Sequence, residues 1–192
     1  MGTLLIVDPL REEAASSVEQ LQQIGLRTVL LTGDRLATAQ EVSSKLAISD
    51  FHSNLNPADK TEWIRTHQES GEKIIMVGDG INDAPALSLA DVGCAMAGGT
   101  DIALETSDLV LTRANLGRLY EAIYIARKTL LVIKQNLFWA FAYNLITIPL
   151  AASGHLAPVW AALTMASSSV IVVSNSLRLG RMIRRTFSVA KA

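Results

Sequence analysis

Met76-Val77-Gly78-Asp79-Gly80-Ile81-Asn82-Asp83-Ala84-Pro85-Ala86-Leu87 decides the fold. Its first residues close the run Lys73-Ile74-Ile75-Met76-Val77, whose unbroken apolar character predicts a strand buried on both faces. Gly78-Asp79-Gly80 ends that strand, and Asn82-Asp83-Ala84-Pro85 opens a helix carrying Leu87 and Leu89. A buried strand, a tight turn and a helix in this order make one unit of an α/β sheet.

The same alternation extends to both sides. Leu4-Leu5-Ile6-Val7 reads as a buried strand ending at Asp8. Ala14, Val18, Leu21 and Ile24 share a helical face, with Gly25 as the stop. Residues 28–31 predict another strand, followed by Thr32-Gly33-Asp34 and a helix over 36–46. Asn56 caps a further helix that has Pro57 in its first turn. Short strands over 92–96 and 109–111 complete the series. Strands separated by helices imply a Rossmann-like parallel sheet covered on both faces. Ligands of such sheets sit beyond the carboxyl ends of the strands, where Asp8, Thr32, Asp34, Asp79 and Asp83 all fall.

Mg²⁺ takes oxygen ligands, usually one or two carboxylates together with waters and phosphate oxygens. Asp79 and Asp83, four residues apart across Gly80, bring two carboxylates to one strand end. The flanking glycines let backbone approach a phosphate. Asn82 orients the second carboxylate or caps the helix, and the whole segment also fits a plain strand–turn–helix connection. Thr32 offers a hydroxyl and an N–H to a phosphate oxygen, with Gly33 and Asp34 completing a turn that equally suits a helix cap. Lys60 suits neutralisation of phosphoryl charge, or a solvated surface position.

Taken in order, Thr32-Gly33-Asp34, Lys60, the run 76–87 and Gly99-Thr100-Asp101-Ile102-Ala103-Leu104-Glu105 resemble the phosphorylation domain of P-type cation ATPases, a haloacid-dehalogenase-like fold. The resemblance runs from about Val7 to Leu179. It implies that Asp79 ligates Mg²⁺, that Asp83 and Asn82 order metal and phosphate, and that Thr32 and Lys60 contact the phosphoryl group. Asp8 matches a family aspartate whose role is left open. ATP is the substrate of the intact pump. The family nucleophile lies in Asp-Lys-Thr-Gly-Thr, which these 192 residues do not contain. Asp59-Lys60-Thr61-Glu62 is a superficial match inside a predicted helix. The nucleotide-binding and actuator domains and the earlier membrane helices are likewise expected to be missing. The chain reads as a fragment, split gene product or truncated relative.

The rest of the chain has a different character. Between 135 and 177 there is no Asp, Glu, Lys or Arg, and the stretch suits two membrane helices of ~20 residues joined by a turn. Helices are expected over 136–152 and 157–177, broken at Ser153, Gly154, His155 and Pro158, with Trp139 and Trp160 near interfaces. A helical stalk over 116–135 joins them to the phosphorylation domain of residues 1–115, and 178–192 form a basic tail. Arg127, Lys128 and Lys134 precede the spans and Arg178, Arg181, Arg184 and Arg185 follow, which places both ends in the cytoplasm of a multi-pass membrane protein. A buried core hairpin is the alternative.

Polar groups inside a span are costly and point to function. Tyr143-Asn144 and Met165-Ala166-Ser167-Ser168-Ser169 resemble the last two helices of copper-transporting heavy-metal ATPases. That resemblance implies Tyr143, Asn144, Met165, Ser168 and Ser169 as the site for monovalent copper or silver. A thioether is a soft ligand that suits Cu⁺, although Met165 also fits as packing and the serines as close helix contacts. Zinc and cadmium relatives place a lysine and an aspartate in these helices, and neither charge occurs here.

The net charge of −1 argues against a nucleic-acid partner. Expected partners are membrane lipid, the transported ion, and the missing amino-terminal part of the pump or a complete pump. The single cysteine, Cys94, excludes an intrachain disulfide and reads as a buried apolar residue. The first nine residues lack the basic region of a signal peptide. Two other functions fit in part. A free phosphatase of the same fold needs a second carboxylate that Asp8-Pro9-Leu10 does not provide. A non-catalytic membrane protein that binds copper or associates with a pump needs no nucleophile.

Overall fold

In the computed structural model the chain forms two compact units, Met1–Tyr120 and Glu121–Ala192. The structure describes residues 10–112, 115–154 and 158–188, and of Ile81, Pro158, residues 160–166, Ser168, Arg185 and Ser188 only the backbone. The expected strand at 4–7, Asp8 and His155 lie outside the described residues.

The first unit alternates helices and strands: α1 (Ala14–Gln23), β1 (Val29–Leu31), α2 (Leu36–Lys45), β2 (Asp50–His52), α3 (Pro57–Glu69), β3 (Ile75–Gly78), a 3₁₀ turn (Ile81–Asp83), α4 (Ala84–Leu89), β4 (Val92–Met96), α5 (Asp101–Glu105) and β5 (Leu109–Leu111). All described strand pairs are parallel. β1 pairs with β2, and β3, β4 and β5 form a second sheet in that order. Helical connections impose the parallel direction, because a hairpin cannot join parallel neighbours. Ile64, Met76, Ala86, Leu87 and Ala103 form the core between α3, α4, α5 and β3. Gly93 lets the β4 backbone lie against α4, since an added Cβ would collide with the Leu87 carbonyl.

The capping of α3 follows from sequence. The Asn56 side chain accepts from the Asp59 N–H at 3.0 Å, and Asp59 Oδ2 accepts from the Asn56 N–H at 2.8 Å. This reciprocal box satisfies two otherwise orphaned donors and makes Asp59 a helix cap. Two elements depart from the sequence reading. β2 was not expected, because Asp50-Phe51-His52 holds one apolar residue and owes its strand form to pairing with β1. The loop after β4 contains the short helix α5, capped by Thr100.

The second unit is built from the long helices α6 (Gly117–Ala152) and α7 (Pro158–Ser188). The first four residues of α6 belong to the first unit, where the Gly117 N–H donates to Asn115 Oδ1 at 2.7 Å and Leu119 is buried. The expected stalk and first span are thus one continuous helix. α7 runs past 177 to Ser188, so most of the expected basic tail is helical. Its arginines are good helix formers and suit a helix carboxyl end. Tyr124 meets Phe187 edge-on at 5.6 Å and Asn136 meets Asn175, which makes the two helices antiparallel.

Among the described residues, no helix is long and apolar enough to cross a membrane. The expected membrane-spanning hairpin is not shown. Gln135, Asn136, Tyr143, Asn144 and Pro149 dilute the apolar character of α6, and the side chains of 160–166 lie outside the described part of α7.

Candidate phosphoryl-transfer site

β3 delivers Gly78 and Asp79 to its carboxyl end, and the 3₁₀ turn carries the chain back to Asp83 at the start of α4. The Asp83 N–H donates to the Gly80 carbonyl at 3.1 Å. Although Asp83 occupies the N-cap position of α4, its side chain makes no cap hydrogen bond. Lys60 Nζ on α3 donates instead to Asp83 Oδ1 at 2.7 Å. Both side chains are largely buried, at 14% and 15% exposure. Burial makes such a pair costly to break, since removing one partner leaves an uncompensated charge.

Gly78 completes this arrangement. A Cβ there would lie 2.7 Å from Asp83 Cβ and 2.9 Å from Asp83 Oδ2, so the carboxylate occupies the space a side chain would need. The Asp79 carboxylate is exposed and has no hydrogen bond or ion pair among the described residues. Its carbonyl accepts from the Thr100 N–H at 3.0 Å, which ties the β3 turn to the loop after β4. Gly99 is needed for that approach, because its Cβ would fall 2.9 Å from the Asp79 carbonyl oxygen. Asn82 is exposed in the 3₁₀ turn.

Thr32, Gly33 and Asp34 follow β1. Thr32 Oγ1 donates to Asp34 Oδ2 at 2.8 Å and accepts from the Asp34 N–H at 3.1 Å, a local turn that closes on itself. The loop after β2 braces it. The Asn54 N–H donates to the Asp34 carbonyl at 2.8 Å and the Leu55 N–H to the Thr32 carbonyl at 3.0 Å, with Asn54 at φ +55°. No described hydrogen bond joins the Thr32–Asp34 turn to Asp79 or Asp83. The structure therefore brings together Lys60, Asp83 and Gly78, and leaves Thr32, Gly33 and Asp34 in a neighbouring turn of their own. Sequence reasoning missed Asn54, Leu55, Gly99 and Thr100. Only Gly99 and Thr100 stood in a quoted motif; the others act through backbone groups that any residue carries.

Among the described residues, no three His, Cys, Asp or Glu side chains cluster as a metal site. Mg²⁺ needs no such cluster, because waters and phosphate oxygens complete its shell. The exposed carboxylate of Asp79 is a donor of that kind, four residues before Asp83, whose carboxylate Lys60 already balances. Cys94 is fully buried in β4, and burial pushes its thiol up to about 11. It takes no part in this site.

Of the residues expected to bind the transported ion, Tyr143 and Asn144 lie on α6 and Met165, Ser168 and Ser169 on α7. The Tyr143 carbonyl accepts from Thr147 Oγ1 at 3.0 Å, and Asn144 is exposed. The side chains of Met165 and Ser168 lie outside the described part.

The parallel α/β sheet with an Asp83–Lys60 pair beyond the end of β3 has the architecture of a haloacid-dehalogenase-like domain. A haloacid dehalogenase-like hydrolase family model matches residues 1–91, and a second of the same description matches 61–123. The chain is 46% identical over 183 residues to the probable copper-importing P-type ATPase A of Enterococcus hirae, covering 94% of this chain and 25% of that protein. It is 45% identical over 181 residues to the copper-exporting P-type ATPase of Staphylococcus haemolyticus, covering 94% and 23%. The crystal structure of a zinc-transporting PIB-type ATPase in its E2.Pi state superposes with a TM-score of 0.83 at 38% identity, over 90% of this chain and 28% of that one. Over 94% of its length the chain is homologous to copper-transporting P-type ATPases. It spans about a quarter of the length of the curated relatives it matches.

Proposed function

We propose that this chain carries half of the Mg²⁺-dependent phosphoryl-transfer site of a P-type ATPase, joined to the last two membrane helices of a pump that exports monovalent copper, with silver as its close mimic. The observation that carries the reading is the Lys60–Asp83 ion pair seated over Gly78 at the end of β3. In this reading Asp79 holds Mg²⁺, which supplies charge neutralisation at the phosphate oxygens. Asp83 and Asn82 order the metal and phosphate from the 3₁₀ turn. Lys60 fixes Asp83 and, with Thr32 beside Gly33 and Asp34, contacts the phosphoryl group. The nucleophilic aspartate comes from a further segment that bears Asp-Lys-Thr-Gly-Thr. Its carboxylate takes the terminal phosphoryl group of ATP, releasing ADP.

Membrane insertion of α6 and α7 is supported by the apolar side chains they present. Phe138, Phe141, Leu145 and Ile146 are 64%, 66%, 78% and 67% exposed, and lipid would remove that surface from water at ~25 cal/mol per Å². Copper is favoured by Tyr143-Asn144 and the Met165–Ser169 motif, since thioether sulfur is a soft donor.

The test mixes the chain with a complementary amino-terminal fragment, radiolabelled ATP and Mg²⁺. An acid-stable acyl phosphate is expected in the mixture alone, and Asp79→Asn is expected to abolish it. No label in the mixture would reject the pump in favour of a non-catalytic copper-binding protein. Cu⁺ binding should fall on Met165→Ala, and unchanged binding would reject the ion assignment.

A further inference from the structure

The two helices of the second unit are clasped by carboxamides. Asn175 Nδ2 donates to Asn136 Oδ1 at 2.9 Å and to Gln135 Oε1 at 3.3 Å, and Asn136 Nδ2 donates to Ser176 Oγ at 3.2 Å. These bonds fix the register, setting 135–136 of α6 opposite 175–176 of α7. The charge-free stretch runs from 135 to 177. Because of the clasp, both helices change from uncharged to basic near one level, after Lys134 on α6 and before Arg178 on α7. Independent helices would have no reason to align these boundaries.

At that level lies a cavity of about 130 Å³. Lys128, Gln135, Asn175 and Arg178 give it two cations and two carboxamides, while Leu131, Val132, Leu179 and Met182 give it an apolar side. Lys128 Nζ stands 5.5 Å from the centre of the Tyr124 ring. After Glu121 the sequence holds no Asp or Glu and eight Lys or Arg, so this lining complements an anion from outside the unit. A free phosphate would engage only the polar side and leave four hydrocarbon side chains facing it. A ligand with both a phosphodiester and an acyl chain satisfies both.

We propose that this cavity binds an anionic phospholipid, its phosphate on Lys128 and Arg178, its glycerol and first acyl carbons against Leu131 and Leu179, and an ester carbonyl accepting from the Gln135 amide, while the rest of each acyl chain runs on toward the charge-free stretch. The proposal rests on the membrane reading of α6 and α7. Guanidinium and ammonium groups suit phosphate oxygens through charge-assisted hydrogen bonds.

The full chain is reconstituted in vesicles of phosphatidylcholine with phosphatidylglycerol, solubilised, and weighed by native mass spectrometry with its retained lipids. Retention of one phosphatidylglycerol in preference to phosphatidylcholine is expected, and it should survive 0.5 M NaCl, which screens diffuse surface attraction. The pair Lys128→Gln with Arg178→Gln should abolish that preference. The pair Arg181→Gln with Arg184→Gln removes the same charge outside the cavity and should leave it unchanged. Equal loss in both pairs would overturn the proposal in favour of diffuse charge. Displacement by millimolar inorganic phosphate would overturn it in favour of a free anion. Vesicle flotation separates the two readings: a chain that fails to float sinks the membrane hairpin and this site with it. One that floats without lipid preference sinks only this site. Helical circular dichroism of each pair verifies that the hairpin is intact.

Discussion

At the scale of single residues, space and burial decide what the site tolerates. Gly78 is not a flexible joint. It is the absence of a side chain where Asp83 must lie, with only 2.7 Å to the Asp83 Cβ. Gly78→Ala should therefore push Asp83 away from Lys60 and cost about 1–3 kcal/mol, as overpacking does. The cost is read from the urea midpoint of the chain in detergent. The overpacking and the lost ion pair are one event, so Lys60→Met in the Gly78→Ala background should cost much less than in the wild type. Additive losses would mean that Gly78 and the pair are independent. Cys94 makes a second prediction. Its thiol is raised to about 11 by burial, against a usual value near 8.5, so it is neutral at pH 8 and hidden. Native chain should resist iodoacetamide at pH 8 and react once in urea. Because the folded value is the higher one, burial of the neutral thiol is fully stabilising below about pH 8.5 and loses its effect as pH rises toward 11.

At the scale of elements, Asp91 fastens three of them. It stands between α4 and β4, where Oδ2 accepts from Gln68 Nε2 on α3 at 3.1 Å and from the Ile74 N–H before β3 at 3.0 Å. Oδ1 accepts from Lys73 Nζ at 2.7 Å. Lys73, Gln68 and the Ile74 N–H, in that order, hold the carboxyl well below its usual range. A depressed folded value stabilises above the unfolded value near 3.9 and is lost as pH falls below it. Asp91→Asn should accordingly destabilise the chain at pH 7 and flatten the acid limb of its stability curve below about pH 4, as followed by circular dichroism. An unchanged acid limb would remove Asp91 from this role. The legibility of the elements follows the same physics. Strands β3 and β4 and helices α1 to α4 were readable because their own residues carry apolar periodicity and caps, as with Asn56 and Asp59. β2 was not, since Asp50, Phe51 and His52 become a strand only through β1. In the site, Lys60 and Asp83 were readable as residue types in a motif, and their direct ion pair was not, because 23 residues separate them. The brace of Asn54 and Leu55 on the Thr32 turn uses main-chain N–H groups and leaves no trace in composition.

At the scale of the whole chain, the two units differ in what holds them. The first has a core of Ile64, Met76, Ala86, Leu87 and Ala103, all before Tyr120. Among its described residues the second has no comparable core; its helices meet through carboxamides and aromatic edges and present Leu145, Ile146 and Phe141 outward. Burying a core removes apolar surface from water whatever the solvent, whereas an outward apolar face depends on what covers it. Heating the chain in detergent should therefore give two transitions. Gly93→Ala forces a methyl group against the Leu87 carbonyl between β4 and α4, and overpacking of that kind costs about 1–3 kcal/mol. It should lower the first unit's transition by several degrees and leave the second in place, while changing the detergent chain length should do the reverse. Differential scanning calorimetry resolves the two, with helical ellipticity assigning the hairpin. A single transition moved by both changes would mean that the units unfold as one. In that case the continuous helix α6 would transmit stability across residue 120 as well as connect the units.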